Sequence, residues 1–110
     1  MSTTQRESRK MKSQSHVQFV MMAEQGDADA QYYLGTIYYH GKKGIAQDRE
    51  KGVAWYRKAA EQGNSCAQYW LGYAYYHGEG IARDSEVGMT WLCKAAKQGN
   101  TYAMDLLDFS

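Results

Sequence analysis

The residues best suited to metal ligation or nucleophilic chemistry are three histidines and two cysteines. His40 and His77 occupy equivalent places in a repeated segment, each beside a glycine. One whole repeat therefore separates them, too far to share an ion whose ligands must lie about 2 Å away. They read as polar residues at helix ends, and His16 stands apart from both. Cys66 and Cys93 lack paired metal spacing, and no histidine stands at a set distance from Cys93 to act as its base. They are expected to be reduced core thiols. Gly41-Lys-Lys-Gly44 and Gly78-Glu-Gly80 are turns, without the register of a phosphate-cradling loop. Catalysis needs converging polar groups, and none assemble here. The sequence predicts no enzyme, metal or cofactor. Tyrosine is the exception to this quiet chemistry, with ten in a chain of 110 residues. A large rigid ring with few rotors and a terminal hydroxyl suits recognition.

The elements that position these rings form an internal repeat. Ala30 to Asp48 (AQYYLGTIYYHGKKGIAQD) recurs as Ala67 to Asp84 (AQYWLGYAYYHGEGIARD), one residue shorter in the glycine loop. Trp55 to Asn64 (WYRKAAEQGN) recurs as Trp91 to Asn100 (WLCKAAKQGN). Ala23, Ala60 and Ala96 mark successive units at a period of about 36 residues. The expected layout is a basic N-terminal arm over 1–12, then a half unit 13–26, full units 27–63 and 64–99, and a half unit 100–110.

Each unit reads as two antiparallel helices. Ala30, Leu34, Ile37 and Tyr38 form an apolar stripe at helical spacing, repeated by Ala67, Leu71, Ala74 and Tyr75. Second helices carry Val53, Tyr56 and Ala60, then Met89, Leu92 and Ala96. Asp27, Asn64 and Asn100 stand where an N-cap oxygen takes a free backbone N–H, worth about 1 kcal/mol each. Asp48 and Asp84 do the same for the second helices, followed by Glu50 and Glu86 at the positive end of the dipole. Gly35, Gly52, Gly72 and Gly88 fall inside helices, each costing about 1 kcal/mol relative to alanine. That repeated cost predicts helices so close that a Cβ would collide. Pairs at this period stack into a solenoid.

The run Ala-x-x-x-Leu-Gly-x-x-Tyr-x-x-Gly, read at Ala30, Leu34, Gly35, Tyr38 and Gly41 and again at Ala67, Leu71, Gly72, Tyr75 and Gly78, resembles the Sel-one-like repeat family, a relative of the tetratricopeptide repeat. Gly44-Ile45 and Gly80-Ile81, then Trp-x-x-Lys-Ala-Ala-x-Gln-Gly, extend the likeness to nearly everything from Val17 onward. The resemblance implies an all-α, right-handed α-solenoid of antiparallel helix pairs. It also implies a non-catalytic adaptor or scaffold, often bacterial. Some members look like immunity proteins that neutralise a toxic effector, and a self-assembling structural unit is a further alternative. Two departures stand out. Gly52 and Gly88 replace a common alanine, and Asp108 replaces the helix glycine in the last half unit. Cysteine-rich members staple each unit with disulfides, but Cys66 and Cys93 do not recur between units.

In tetratricopeptide-like solenoids the first helices line the concave face. With Leu34, Tyr38, Leu71 and Tyr75 turned to the core, the open side would carry Tyr32, Thr36, Tyr39 and His40, then Tyr69, Tyr73, Tyr76 and His77. Asp105 and Phe109 would extend that row. The alternative for any one ring is packing between units. Three helices about 20 Å long and ~10 Å apart offer on the order of 600 Å², enough for a peptide or small protein edge. Thr101 to Phe109 is apolar on more than one face, so Leu106 and Phe109 become candidates for homodimerisation or a partner, unless the short helix folds back to hide them. Thirteen basic and twelve acidic residues leave +1, which argues against a general nucleic-acid or anionic-membrane binder. With no long apolar run and no secretory pattern, the sequence reads as cytoplasmic.

Overall fold

The computed structural model describes residues 16–108. These form six helices: α1 (His16–Glu24), α2 (Ala28–His40), α3 (Arg49–Glu61), α4 (Ser65–His77), α5 (Ser85–Lys97) and α6 (Thr101–Asp108). Every described helix packs on the next in the chain, while α2 and α4 touch only lightly across the stack. The result is elongated, 56 × 29 × 22 Å with a radius of gyration of 15.5 Å. A compact chain near this length would measure about 13 Å. The all-α solenoid expected from the repeat is therefore observed.

Local chemistry explains where the helices begin and end. Asp27, Asp48, Asn64, Asp84 and Asn100 each accept, through a side-chain oxygen, the N–H of the residue three positions on. Gly41 and Gly78 close α2 and α4 in the left-handed region, at φ of 72° and 71°. The connecting loops then return through Asp48 N–H donating to the Tyr38 carbonyl and Asp84 N–H donating to that of Tyr75. The two loops differ in surroundings. Gly44 has open space beside it, whereas a Cβ on Gly80 would lie 2.7 Å from the Arg49 carbonyl of the preceding unit.

The helical glycines mark close approaches. A Cβ on Gly52 would lie 2.6 Å from the Tyr39 amide nitrogen, and one on Gly88 would lie 2.8 Å from the Gly72 carbonyl oxygen. Backbone cannot yield as a side-chain tip can, so the alanine expected there from the resemblance does not fit this spacing. Gly35 faces the Tyr56 ring and Gly72 faces Leu92. Three apolar clusters follow the stack, centred on Leu34 with Ala23 and Ala30, on Tyr56 with Leu71, and on Leu92 with Ala95 and Ala103.

A ladder of buried amides runs beside them. Gln31 and Gln68 donate to the carbonyls of Ala23 and Ala60, in the second helix of the preceding unit. Each also accepts from the glutamine that follows its own second helix, Gln62 or Gln98. Those two donate in turn to the carbonyls of Gly26 and Gly63. One side chain thus joins three helices. Burial without these partners would cost about 1–3 kcal/mol, which is why glutamine recurs after Ala30 and Ala67.

Candidate protein-interaction face

The first helices α2, α4 and α6 share one face, and aromatic rings fill it. Tyr32 on α2 lies 5.9 Å from Tyr56, and Trp70 on α4 stacks on Tyr56 at 6.3 Å. Trp70 also meets Tyr69 at 5.1 Å and Tyr73 at 5.5 Å. Tyr69 reaches Tyr102 of α6 at 5.8 Å. Between them opens a groove of about 370 Å³ lined by Tyr32, Cys66, Tyr69, Trp70, Asn100 and Tyr102. His40 and His77 edge the same surface, His40 at 4.8 Å from Trp70 and His77 at 4.3 Å from Tyr73.

The structure brings together Tyr32, Tyr69, Tyr73, His40 and His77 from the sequence-predicted row, but corrects several other assignments. Tyr39 is only 3% exposed and belongs to the core. Trp70 of the next unit covers it, and its hydroxyl donates to the Glu79 carboxylate at 2.7 Å. Burial, then the Glu79 hydrogen bond and charge, raise its pKa far above that of a free phenol. Thr36 shares a hydrogen bond with the Tyr56 hydroxyl, so its polar group serves the core. Tyr76 sits at the edge, beside His77. Asp105 is exposed on α6. Leu106 turns inward against the Leu92 cluster, as Tyr33 does against Phe19 and Trp70 against Tyr56. The apolar exposure on α6 comes instead from Tyr102 (70%) and Met104 (42%). Phe109 and the basic arm lie outside the described residues. Cys66 and Cys93 are free and exposed, not core thiols.

Trp70 and Tyr102 complete the groove without having been picked from sequence. Trp70 occupies the place of Tyr33, one residue off the row, where it bridges the core and the open face. Tyr102 occupies the place of Asp29 and Cys66, so no repeated aromatic pattern announces it.

Electrostatics are mild. His40 is held below the ordinary imidazole pKa by burial, with Lys42 and Arg49 adding repulsion. Burial raises Tyr69, with small additions from Tyr73 and Tyr102. Among the described residues no group of three His, Cys, Asp or Glu side chains could hold a metal, and no helix is long and apolar enough to cross a membrane.

The Sel1 repeat model matches residues 28–64 and 67–100, well over half the chain. The chain belongs to the Sel1 repeat family. A Sel1 repeat protein from Oxalobacter formigenes superposes with a TM-score of 0.81 at 39% identity, over 84% of this chain and 69% of that one. A protective antigen with an SLR fold, present in uropathogenic Escherichia coli strains, gives the same TM-score at 36% identity, over 84% of this chain and 20% of its own. Cysteine rich protein B of Helicobacter pylori, 24% identical over 81% of this chain and 66% of its own, shares the fold at a TM-score of 0.74. In sequence, 37 residues are 40% identical to the ERAD-associated E3 ubiquitin-protein ligase component HRD3A of Arabidopsis thaliana. That match spans 34% of this chain and only 6% of the curated relative. Sel1 repeats are in general scaffolds for protein–protein interaction, which gives this face its chemical context.

Proposed function

We propose that this Sel1 repeat protein is a non-enzymatic adaptor that binds a protein segment in the aromatic groove across α2, α4 and α6. The single observation that carries the reading is the groove of about 370 Å³ lined by Tyr32, Trp70, Tyr69 and Tyr102, in which Trp70, Tyr69 and Tyr102 touch in series and Tyr32 joins Trp70 through the buried Tyr56. Rings anchored from behind, as Trp70 is by Tyr56, are already ordered before a partner arrives. Less conformational entropy is then lost on binding. The groove suits an extended segment better than a flat protein surface, since its width is set by the spacing of neighbouring first helices.

The test is affinity capture with wild type and a Tyr32→Ser/Tyr69→Ser/Tyr102→Ser variant, each shown helical by circular dichroism. Partners retained by wild type should be lost from the variant. An identical set from both would sink the assignment of the face. A second reading, self-association through α6, is favoured by the exposed Tyr102 and Met104. Light scattering would then give twice the monomer mass, falling to the monomer value on Met104→Glu.

A further inference from the structure

From α2 to α6 the lysines and arginines of the helices are sorted between first and second helices. The first helices α2, α4 and α6 contain neither lysine nor arginine, while Asp29 and Asp105 sit on them exposed. The second helices α3 and α5 carry Arg49, Lys51, Arg57, Lys58, Lys94 and Lys97 against Glu50, Glu61 and Glu86. The rings do not divide by helix, since Arg49, Lys51 and Arg57 of α3 lie 6.0, 4.5 and 5.7 Å over Tyr39, Tyr38 and Tyr75 of the first helices. On the second helices Lys58 lies 5.0 Å over Trp55 and Lys94 lies 4.6 Å over Trp91. The ring faces of Tyr32, Tyr69, Trp70 and Tyr102 carry negative quadrupole density, and among the described residues no lysine or arginine lies over them.

We infer that the groove takes up a cationic side chain, arginine or lysine, from an extended segment of the partner protein. This rests on the reading of the groove as the docking face. Asp29 marks one end, a helical turn before Tyr32 and 3.4 Å from the Asn64 amide. Asp105 marks the other end, a turn beyond Tyr102. A guanidinium in the groove meets ring faces, while the two carboxylates, two helix spacings or about 20 Å apart, favour it through their field rather than by contact. An acidic segment would meet the same groups as repulsion. His40, the imidazole nearest Trp70, is held toward its neutral form by burial, with Lys42 and Arg49 close enough to add repulsion, so that edge of the face favours a cation less than the Tyr69–Tyr102 end. Asn100 already uses its side-chain oxygen on the Ala103 N–H, which leaves its amide N–H₂ to meet a carbonyl of the bound segment.

The experiment follows the three tryptophan indole signals by NMR while titrating acetyl-(Gly-Arg)₃-Gly-amide and its citrulline and glutamate counterparts. The arginine peptide should move the Trp70 signal and leave Trp55 and Trp91 in place. Citrulline, which keeps the shape but not the charge, should bind about 5-fold more weakly, and glutamate should not bind. Tyr102→Ala, which removes a ring that is largely exposed, should weaken the arginine peptide by about 5-fold. Asp29→Asn/Asp105→Asn should weaken it by about 3-fold. Equal or tighter binding of citrulline or glutamate at Trp70 would overturn the cation and leave the docking face standing. No movement of Trp70 by the arginine peptide at millimolar concentration would also overturn it. A Trp70 signal that shifts without peptide on Arg6→Gln/Arg9→Gln/Lys10→Gln/Lys12→Gln would give the groove to this chain's own arm, overturning a partner's side chain there. Failure of the docking face itself would show separately, as an unchanged capture set from the triple tyrosine variant.

Discussion

Tyr39 and Tyr76 hold the same position in successive repeats, yet one is core and the other edge. Tyr39 has a following unit above it, whose Trp70 covers the ring and whose Glu79 accepts its hydroxyl. Tyr76 has no such cover from α6 and keeps part of its ring open beside His77. The glutamine ladder shows the same contrast. Gln31 and Gln68 each join three helices, whereas the third residue of that series is Met104, 42% exposed. A repeat position acquires its environment from the next unit as much as from its own helix.

The sharpest way to break this comparison is at the close approaches, which both units share. Gly52→Ala and Gly88→Ala should each cost about 3 kcal/mol or more, since their Cβ atoms would meet backbone. Urea unfolding measures this, and a loss under 1 kcal/mol in either would mean the helices can slide apart. Gln68→Ala should cost about 2 kcal/mol by removing its buried hydrogen bond to the Ala60 carbonyl, while Met104→Ala should be nearly neutral. Equal losses would erase the distinction between the junction and the end.

The tyrosines sharpen it further. Tyr39→Phe should lose about 1–2 kcal/mol with the Glu79 hydrogen bond, and Tyr76→Phe close to nothing. His40 gives the smallest effect. Its pKa in the folded protein is lowered, so its contribution is complete above the unfolded value near 6.5 and fades as the pH falls through it. NMR titration should find His40 below 6.5 and rising on Lys42→Gln/Arg49→Gln. A value above 6.5 in wild type would contradict the partial desolvation of this otherwise exposed ring.

Much of the architecture was legible in sequence because its causes are local. Asp27, Asp48, Asn64, Asp84 and Asn100 announce helix starts within three residues, and Gly52 and Gly88 announce contact by lacking a side chain. The face was only partly legible. Helical spacing puts Tyr39 on the outside of α2 taken alone, and only the seating of Trp70 shows otherwise. Leu106 reads as an uncovered end residue until its counterparts, Tyr33 and Trp70, are seen inserting toward the preceding second helix. Cys66 and Cys93 misled because cysteine is so often buried, whereas here both face outward.

The unequal glycine loops carry a practical corollary. The longer loop, with Gly44 beside empty space and Lys43 tolerating φ of 59°, can absorb extra residues without disturbing its neighbours. The shorter one is wedged against the Arg49 backbone and has no slack. A fluorophore or epitope grafted beside Lys43 should leave the stack intact, while the same graft at Gly80 would pry the two units apart.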